Sequence, residues 1–409
     1  MRKQNFKLNY QYKNITNQNV ELWFSEPKES STQQNITTKP NLKPDEITKH
    51  SFLNNLWYYN LQPGQKLNIT INYTGGKRDK SYKANITEEE KEFFLRSTKL
   101  IPLSEEIKKE AQSIVGDAHT DIEKAKRLFQ YIIKTYSYSA QFSGRGVAAF
   151  KARRKGDCGE FGAIFCSYCR ALNIPARMLY GTWILKKFSP HAWSEIYIEN
   201  EGWIPVDPSM GRIKLYLHPF INISSAVQYG VFPNNRRYFG DHEGKRLAFS
   251  LDPERALNPK YIDNMEYKQG VTKECIAGKE IAWGYESIEG KAPFLQPIYL
   301  KLHSLENRTP IKELFGEWSG KHISTLKNFT YKVKLASFNI GFSVLMIEII
   351  NEAIFKEETL FNVLPLFSYP LVLIGTILSI VRNEGNLLIY LLGFMLTLSF
   401  IGILASYIN

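Results

Sequence analysis

Along the first part of the chain, apolar and polar positions alternate. The stretches "FKLNYQYKN", "VELWFSEP" and "QKLNITINYT" place an apolar side chain at every second residue, the period of a strand with one buried face. "PNLKPDE" and "LQPGQ" supply turn residues between them. Residues 1–85 therefore read as a β-rich, sandwich-like domain.

The period then changes. Thr87 and Ser104 each precede a run of acids, the signature of a helix start. In "DIEKAKRLFQYIIKTYSYS", Ala125, Leu128, Phe129, Ile132 and Ile133 fall at helical spacing. A second helix follows from Cys158, with Phe161, Ile164, Phe165, Tyr168 and Leu172 on one face, and Asn173 and Pro175 end it. Short strands come next, in "ARMLYGTWIL", "HAWSEIYIEN" and "GWIPVDP". Helices followed by a small antiparallel sheet predict an α+β core over residues 86–255. Residues 256–357 are mixed and carry no interpretable motif.

The last segment, 358–409, is of another kind. Phe361–Val381 and Leu387–Ile408 are uncharged apolar runs, each as long as the ~20 residues that a membrane-spanning helix needs. Only "RNEGN" separates them, which predicts a hairpin of two transmembrane helices. The shorter apolar run Phe338–Ile350 contains Glu348 and is left unassigned.

Composition narrows the classes. In 409 residues, 44% are hydrophobic and 13% aromatic, which excludes a disordered chain. The net charge of +12 invites a nucleic-acid reading. Yet Lys and Arg are interleaved with Glu and no nucleic-acid motif is present, so a lysine-rich surface is expected and no nucleic-acid partner. The first residues, "MRKQNFKLNYQYKN", lack the apolar core of a signal peptide. Lysines cluster before the first apolar run, which places the soluble domains of a multi-pass membrane protein in the cytoplasm. Eight Asn-X-Ser/Thr sequons, at Asn14, Asn35, Asn68, Asn72, Asn85, Asn222, Asn307 and Asn328, point the other way, but strand-rich segments favour Asn and Thr in any case.

Candidate chemistry concentrates in "GDCGEFGAIFCSYCRALNIPAR", which holds three of the four cysteines. Cys158 opens a helix, where the macrodipole favours a thiolate. Cys166 is expected on a helix flank and Cys169 in the core. Zinc would need two further ligands nearby, and neither a second CxxC nor an HxxxH occurs, so no metal or cofactor is expected. Glu160 reads as a solvated helix residue, Trp193 and Trp203 as core. A nucleophilic thiol needs a base, and the base an orienter. His191 begins the strand "HAWSEIYI" and Asp207 follows the next strand, so two neighbouring antiparallel strands can set them side by side, over the Cys158 helix.

These segments resemble the transglutaminase-like superfamily, related in fold to papain-type cysteine proteases. The resemblance is carried by "GDCGEFGAIFCSYCRALNIPARMLYG", "HAWSEIYIENEGWIPVDPSMG" and the preceding "AKRLFQYIIKTYSYS". Asn173 stands where Gly is usual, and "RRYFGDHEGKRLAFS" is similar as well. It implies a Cys–His–Asp triad of Cys158 (nucleophile), His191 (base and acid) and Asp207 (orienter). It also implies acyl transfer from an amide of a protein or peptide through a thioester, with hydrolysis favoured over crosslinking because it needs no second substrate pocket. The Cys158 N–H is one oxyanion donor and Gln141 a candidate for the second. The alternative is a non-catalytic scaffold on the same fold. A peptide-N-glycanase relative ranks lower, because the zinc-binding cysteine set usual before its nucleophile is missing.

Overall fold

The computed structural model describes residues 3–82, 85–139, 146–185, 187, 189–212, 219–230, 237–260, 266–267, 275–276, 279–280, 291–292, 295–301, 304–305 and 316–408. Two compact units emerge. One holds the described residues from Lys3 to Lys321 except 219–230; the other holds 219–230, with the helix Pro219–Tyr229, and the described residues from His322 onward.

The first unit begins with six strands: β1 (Gln4–Lys13), β2 (Val20–Ser25), β3 (Gln33–Pro40), β4 (Glu46–Thr48), β5 (Leu56–Leu61) and β6 (Lys66–Gly75). They form two four-stranded sheets, and each sheet takes one strand from far along the chain. Glu317–His322 lies beside β1, and Ile298–Lys301 beside β2. Alternation along β1 turns Phe6, Leu8, Tyr10 and Tyr12 inward, and along β6 Leu67, Ile69, Ile71 and Tyr73, into one shared core. Asn14 is buried and its side-chain amide donates to Gln18 O (2.8 Å) and Leu61 O (2.9 Å). That sequon is thus a turn device of the sandwich.

Helices α1 (Glu88–Phe93), α2 (Glu105–Val115) and α3 (Asp121–Thr135) follow, capped by Thr87, Ser104 and Thr120. The short strands β7 (Ser137–Tyr138) and β8 (Lys155–Gly156) pair in parallel around helix α4 (Val147–Arg153). Helix α5 (Cys158–Ala171) then packs on a four-stranded antiparallel sheet. Its strands are β9 (Ala176–Trp183), β10 (Pro190–Ile198), β11 (Gly202–Val206) and β12 (Arg246–Leu251), in the order β11-β10-β9-β12. Between β11 and β12 lies the short helix α6 (Pro208–Arg212). The fold class is the expected mixed α and β one, with a sandwich joined to an α+β core.

Close approach of α5 to the sheet depends on Gly162. A methyl group there would press on Met178 Cε and Ser194 Oγ, and Ser194 Oγ donates to Gly162 O at 3.3 Å. The far end of α5 is tied by a wholly buried ion pair, Arg170 Nη2 to Asp252 Oδ1 at 2.6 Å.

In the second unit, the expected two apolar helices are corrected to three. Beside Glu358–Val381 and Leu387–Ile408 stands a continuous helix, Thr325–Ile350, prolonged by a π-helical turn to Phe355. All three contain stretches long and apolar enough to cross a membrane. The run Phe338–Ile350 is the second half of the first of these helices. Its first half carries Lys327, Lys332 and Lys334, which hid it from hydropathy. Lys334 is fully buried against Glu384, with Nζ to Oε2 at 2.6 Å. Small residues allow the helices to approach: Gly341 faces Val372, Gly375 faces Phe338 and Gly393 faces Thr376.

Candidate active site

Cys158 is the first residue of α5, and its half-buried side chain lies beside β10, where the Ala192 backbone N–H bonds to the sulfur. The helix start is locked by a capping box. Asp157 accepts from Gly159 N (2.8 Å) and Glu160 accepts from Asp157 N (3.2 Å). Glu160 is buried in this box instead of solvated. The box also changes the expected electrostatics. Burial pushes the Cys158 thiol up, and the Asp157 carboxylate adds to that; the Ala192 N–H pulls only partly the other way. Two first-turn carboxylates oppose the macrodipole that the sequence suggested would favour a thiolate.

His191 sits in β10 opposite Gly181 of β9. A side chain at Gly181 would run into the Leu247 carbonyl and the Trp193 ring, so the sheet needs glycine at that position. The His191 ring is buried, and its Nε2 meets Asp207 Oδ2 at 2.7 Å. Nε2 is thereby engaged with the carboxylate, and Nδ1 is the nitrogen left for other partners. Burial lowers the His191 pKa; Asp207 opposes this and Arg246 reinforces it. Asp207 follows β11 and is itself braced. Ser209 Oγ (2.7 Å) and Met210 N (3.0 Å) donate to Oδ1, and Arg246 Nη1 donates to Oδ2 at 2.6 Å. Burial alone would raise that carboxyl, but His191 and Arg246 together hold it well below the usual carboxylate range.

Cys158, His191 and Asp207 are thus brought to one end of the α5–sheet interface. Gln141 lies outside the described residues. Cys166 and Cys169 are fully buried on α5, where burial pushes Cys166 up to about 12 and Cys169 well above its ordinary value. Cys166 is therefore core, not helix flank, and neither thiol is poised for redox chemistry. Among the described residues, no group of three His, Cys, Asp or Glu side chains could hold a metal.

Several neighbours were not singled out from the sequence. Trp183 stacks on His191, with ring centroids 3.9 Å apart and planes tilted by 22°. Its indole N–H donates to Glu243 Oε1 at 2.7 Å, and Glu243 grips Arg246 through two hydrogen bonds. Gln296 donates to both Gly181 O and His191 O at 2.9 Å, clamping the strand pair at the histidine. Tyr138 is close enough to Cys158 that a thiolate there would push the Tyr138 phenol up, with burial adding to it.

Comparison with known proteins fixes the family of this core. The model of the transglutaminase-like superfamily core matches residues 108–208, the segment that runs from α2 through Cys158 and His191 to just past Asp207. These residues form a transglutaminase-like core. A peptide-N(4)-(N-acetyl-beta-glucosaminyl)asparagine amidase of Drosophila melanogaster is 40% identical over 57 residues, 14% of this chain and 8% of that protein. The chain thus matches only a small part of this relative. A structure from Cytophaga hutchinsonii described as a candidate cysteine protease has 15% identity and a TM-score of 0.42, covering 61% of this chain and 82% of that one. The periplasmic domain of TgpA from Pseudomonas aeruginosa has 16% identity and a TM-score of 0.33, covering 53% and 89%.

Proposed function

We propose that the protein is a membrane-tethered thiol enzyme that cleaves amide bonds of a protein or peptide, with Cys158 as nucleophile, His191 as base and acid, and Asp207 as orienter. One observation carries this reading. His191 gives Nε2 to Asp207 at 2.7 Å, while the half-buried Cys158 sulfur takes the N–H of the very next residue, Ala192. A scaffold has no need of that arrangement.

The chemistry is acyl transfer. The Cys158 sulfur attacks the amide carbonyl carbon as its proton passes to His191 Nδ1. The carbonyl oxygen becomes an oxyanion, for which the Cys158 backbone N–H at the helix start is the natural donor. Collapse breaks the C–N bond, and the same proton moves from Nδ1 to the leaving amine. A thioester remains. Water, deprotonated in turn by His191, releases the acid and restores the thiol. An amine in place of water would give a crosslink; hydrolysis is favoured because it requires no second substrate pocket. The 57-residue amidase match supports C–N cleavage as the chemistry.

The three apolar helices would anchor the enzyme in the bilayer. Lys327, Lys332 and Lys334 begin the first span and Arg382 ends the second, so these cations share one side of the membrane with the soluble domains. The opposite turn mixes Lys356 with Glu352 and Glu357. This asymmetry favours a cytoplasmic active site.

The test compares detergent-solubilised protein with Cys158→Ala on a casein-type substrate carrying a labelled amine. New N-termini that vanish with Cys158→Ala are the expected result. Amine incorporation without new N-termini would assign crosslinking instead. Neither signal from the wild type would leave the scaffold reading.

A further inference from the structure

The proposed triad does not end at Asp207. Five side chains close a ring. His191 Nε2 meets Asp207 Oδ2 at 2.7 Å, and Arg246 Nη1 meets that same oxygen at 2.6 Å. The other edge of the guanidinium holds Glu243 in a fork, with Nη2 to Oε2 at 2.9 Å and Nε to Oε1. Glu243 Oε1 takes the Trp183 indole N–H at 2.7 Å, and the Trp183 ring returns to His191, stacked at 3.9 Å. Arg246 and Trp183 are partners across β12 and β9. Asp207, Arg246, Glu243 and His191 are all at most 3% exposed. A guanidinium is the one cationic side chain whose planar fork can grip a carboxylate with two N–H groups and still donate to a second acid.

We propose that Arg246 is a positioning residue that sets the orientation of His191 through Asp207 on one side and Glu243–Trp183 on the other, and that its charge keeps Cys158 and His191 resting as a neutral thiol and a neutral imidazole. This rests on the thiol-enzyme reading above. The reason is electrostatic. An unshared Asp207 carboxylate would stabilise an imidazolium and, through it, a thiolate. Here the carboxylate oxygen that faces His191 is already neutralised by a guanidinium 2.6 Å away. Among the described residues, further ionisable neighbours are Asp157 and Glu160 at the start of α5, Tyr138, Tyr238 and His242, with Arg237 and Asp241 beyond these last two. The two α5 acids disfavour a thiolate further. The lowered His191 and raised Cys158 pKa values agree with this state. On this account the thiol is deprotonated as it attacks, not before.

The measurement is the pH dependence of Cys158 alkylation by iodoacetamide on the full-length protein, read by mass spectrometry of the Cys158 peptide. It needs no substrate, so it stands whether or not amide cleavage is found. In the wild type, the rate should rise in one step above about pH 8, as for an unassisted thiol. A reactive plateau reaching below pH 6 overturns the proposal. Arg246→Met should raise the rate at pH 6 at least tenfold, because Asp207 is then free to stabilise the imidazolium. Arg246→Met/Glu243→Gln removes both charges, avoids stranding Glu243, and should act in the same direction. Arg246→Lys keeps the charge and should keep the wild-type profile. A purely structural role predicts the opposite sign, slower alkylation at pH 6 from a misplaced histidine. An unchanged or slower rate in whichever charge-removing variant folds also overturns the proposal.

Discussion

The indole of Trp183 lies flat against the imidazole of His191, 3.9 Å between ring centroids. This contact fixes the ring plane, while the Asp207 bond fixes its rotation. An aromatic pair of this kind contributes about 0.5–1.5 kcal/mol beyond simple burial. Trp183→Ala is therefore expected to lower kcat/KM by roughly tenfold, and Trp183→Phe, which keeps a ring on His191, by less. Kinetics of both variants on one substrate check the order. Equal losses would show that the stack does not matter.

Asp207 Oδ2 serves two partners at once, His191 and Arg246. Asp207→Asn keeps the shape but leaves the guanidinium with Glu243 alone. Loss of general acid–base function corresponds to a fall in kcat on the order of 10²–10⁴. Breaking a buried ion pair also costs about 3–5 kcal/mol of stability. The two effects separate in a denaturant titration run beside the assay. A variant with wild-type kcat would remove Asp207 from the mechanism.

The same buried charges make stability fall in acid, in two windows. His242 is buried, and burial lowers its pKa to about 4. Its folded value is below the unfolded one, so protonation favours the unfolded chain, and stability is lost as pH drops from about 6.5 toward 4. Burial would raise the Glu243 carboxyl, but Arg246 outweighs it and holds the group down at about 2. Its contribution is complete above the unfolded carboxylate pKa of about 4.3 and is lost as pH falls from there toward 2. Thermal melts across pH 2–7 should show both losses. Glu243→Gln should make the lower loss shallower, leaving the part that Asp207 contributes.

Gly181 faces His191 across the β9–β10 pair, and a Cβ there would meet the Leu247 carbonyl and the Trp193 ring. Neither can retreat, because one is backbone and the other lies in a buried cluster. Gly181→Ala should destabilise by about 1–3 kcal/mol and lower activity as well, because Trp193 also stacks near His191. A melting temperature equal to that of the wild type would count against this packing.

Three helices crossing a bilayer, as proposed above, would put their two turns on opposite faces. Ala353→Cys and Asn383→Cys should therefore label with a membrane-impermeant maleimide from opposite sides, with Asn383→Cys on the side of the soluble domains. Ala353→Cys labelled from the side of the soluble domains, and Asn383→Cys from the other, would restore the two-helix hairpin. Labelling from outside the cell of both Asn383→Cys and Glu88→Cys, an exposed position in the soluble domains, would reverse the cytoplasmic orientation.

What the sequence determined by itself was whatever depends on near neighbours. Strands β1 and β6 were legible because alternation with period 2 is a property of a few consecutive residues. Helix α5 was legible because Phe161, Ile164, Phe165 and Tyr168 share one face, whereas its Asp157–Glu160 cap emerged only in the structure. Cys158, His191 and Asp207 stood out through motif order and family resemblance, since a helix and two sequential strands leave few ways to arrange them. Tertiary structure decided the rest. Arg246 reads as one more solvated cation in "GKRLAFS" until β12 pairs with β9 and brings it to Asp207. Glu243 and Trp183 join the site through that same pairing, and Gln296 reaches it from farther still. The strand Ile298–Lys301 completes a sheet begun more than two hundred residues earlier. The third apolar helix was concealed by lysines, one of which is neutralised by Glu384 inside the helix bundle. Such partners are set by which elements lie side by side in space, and a charge looks like surface until its counter-charge is found.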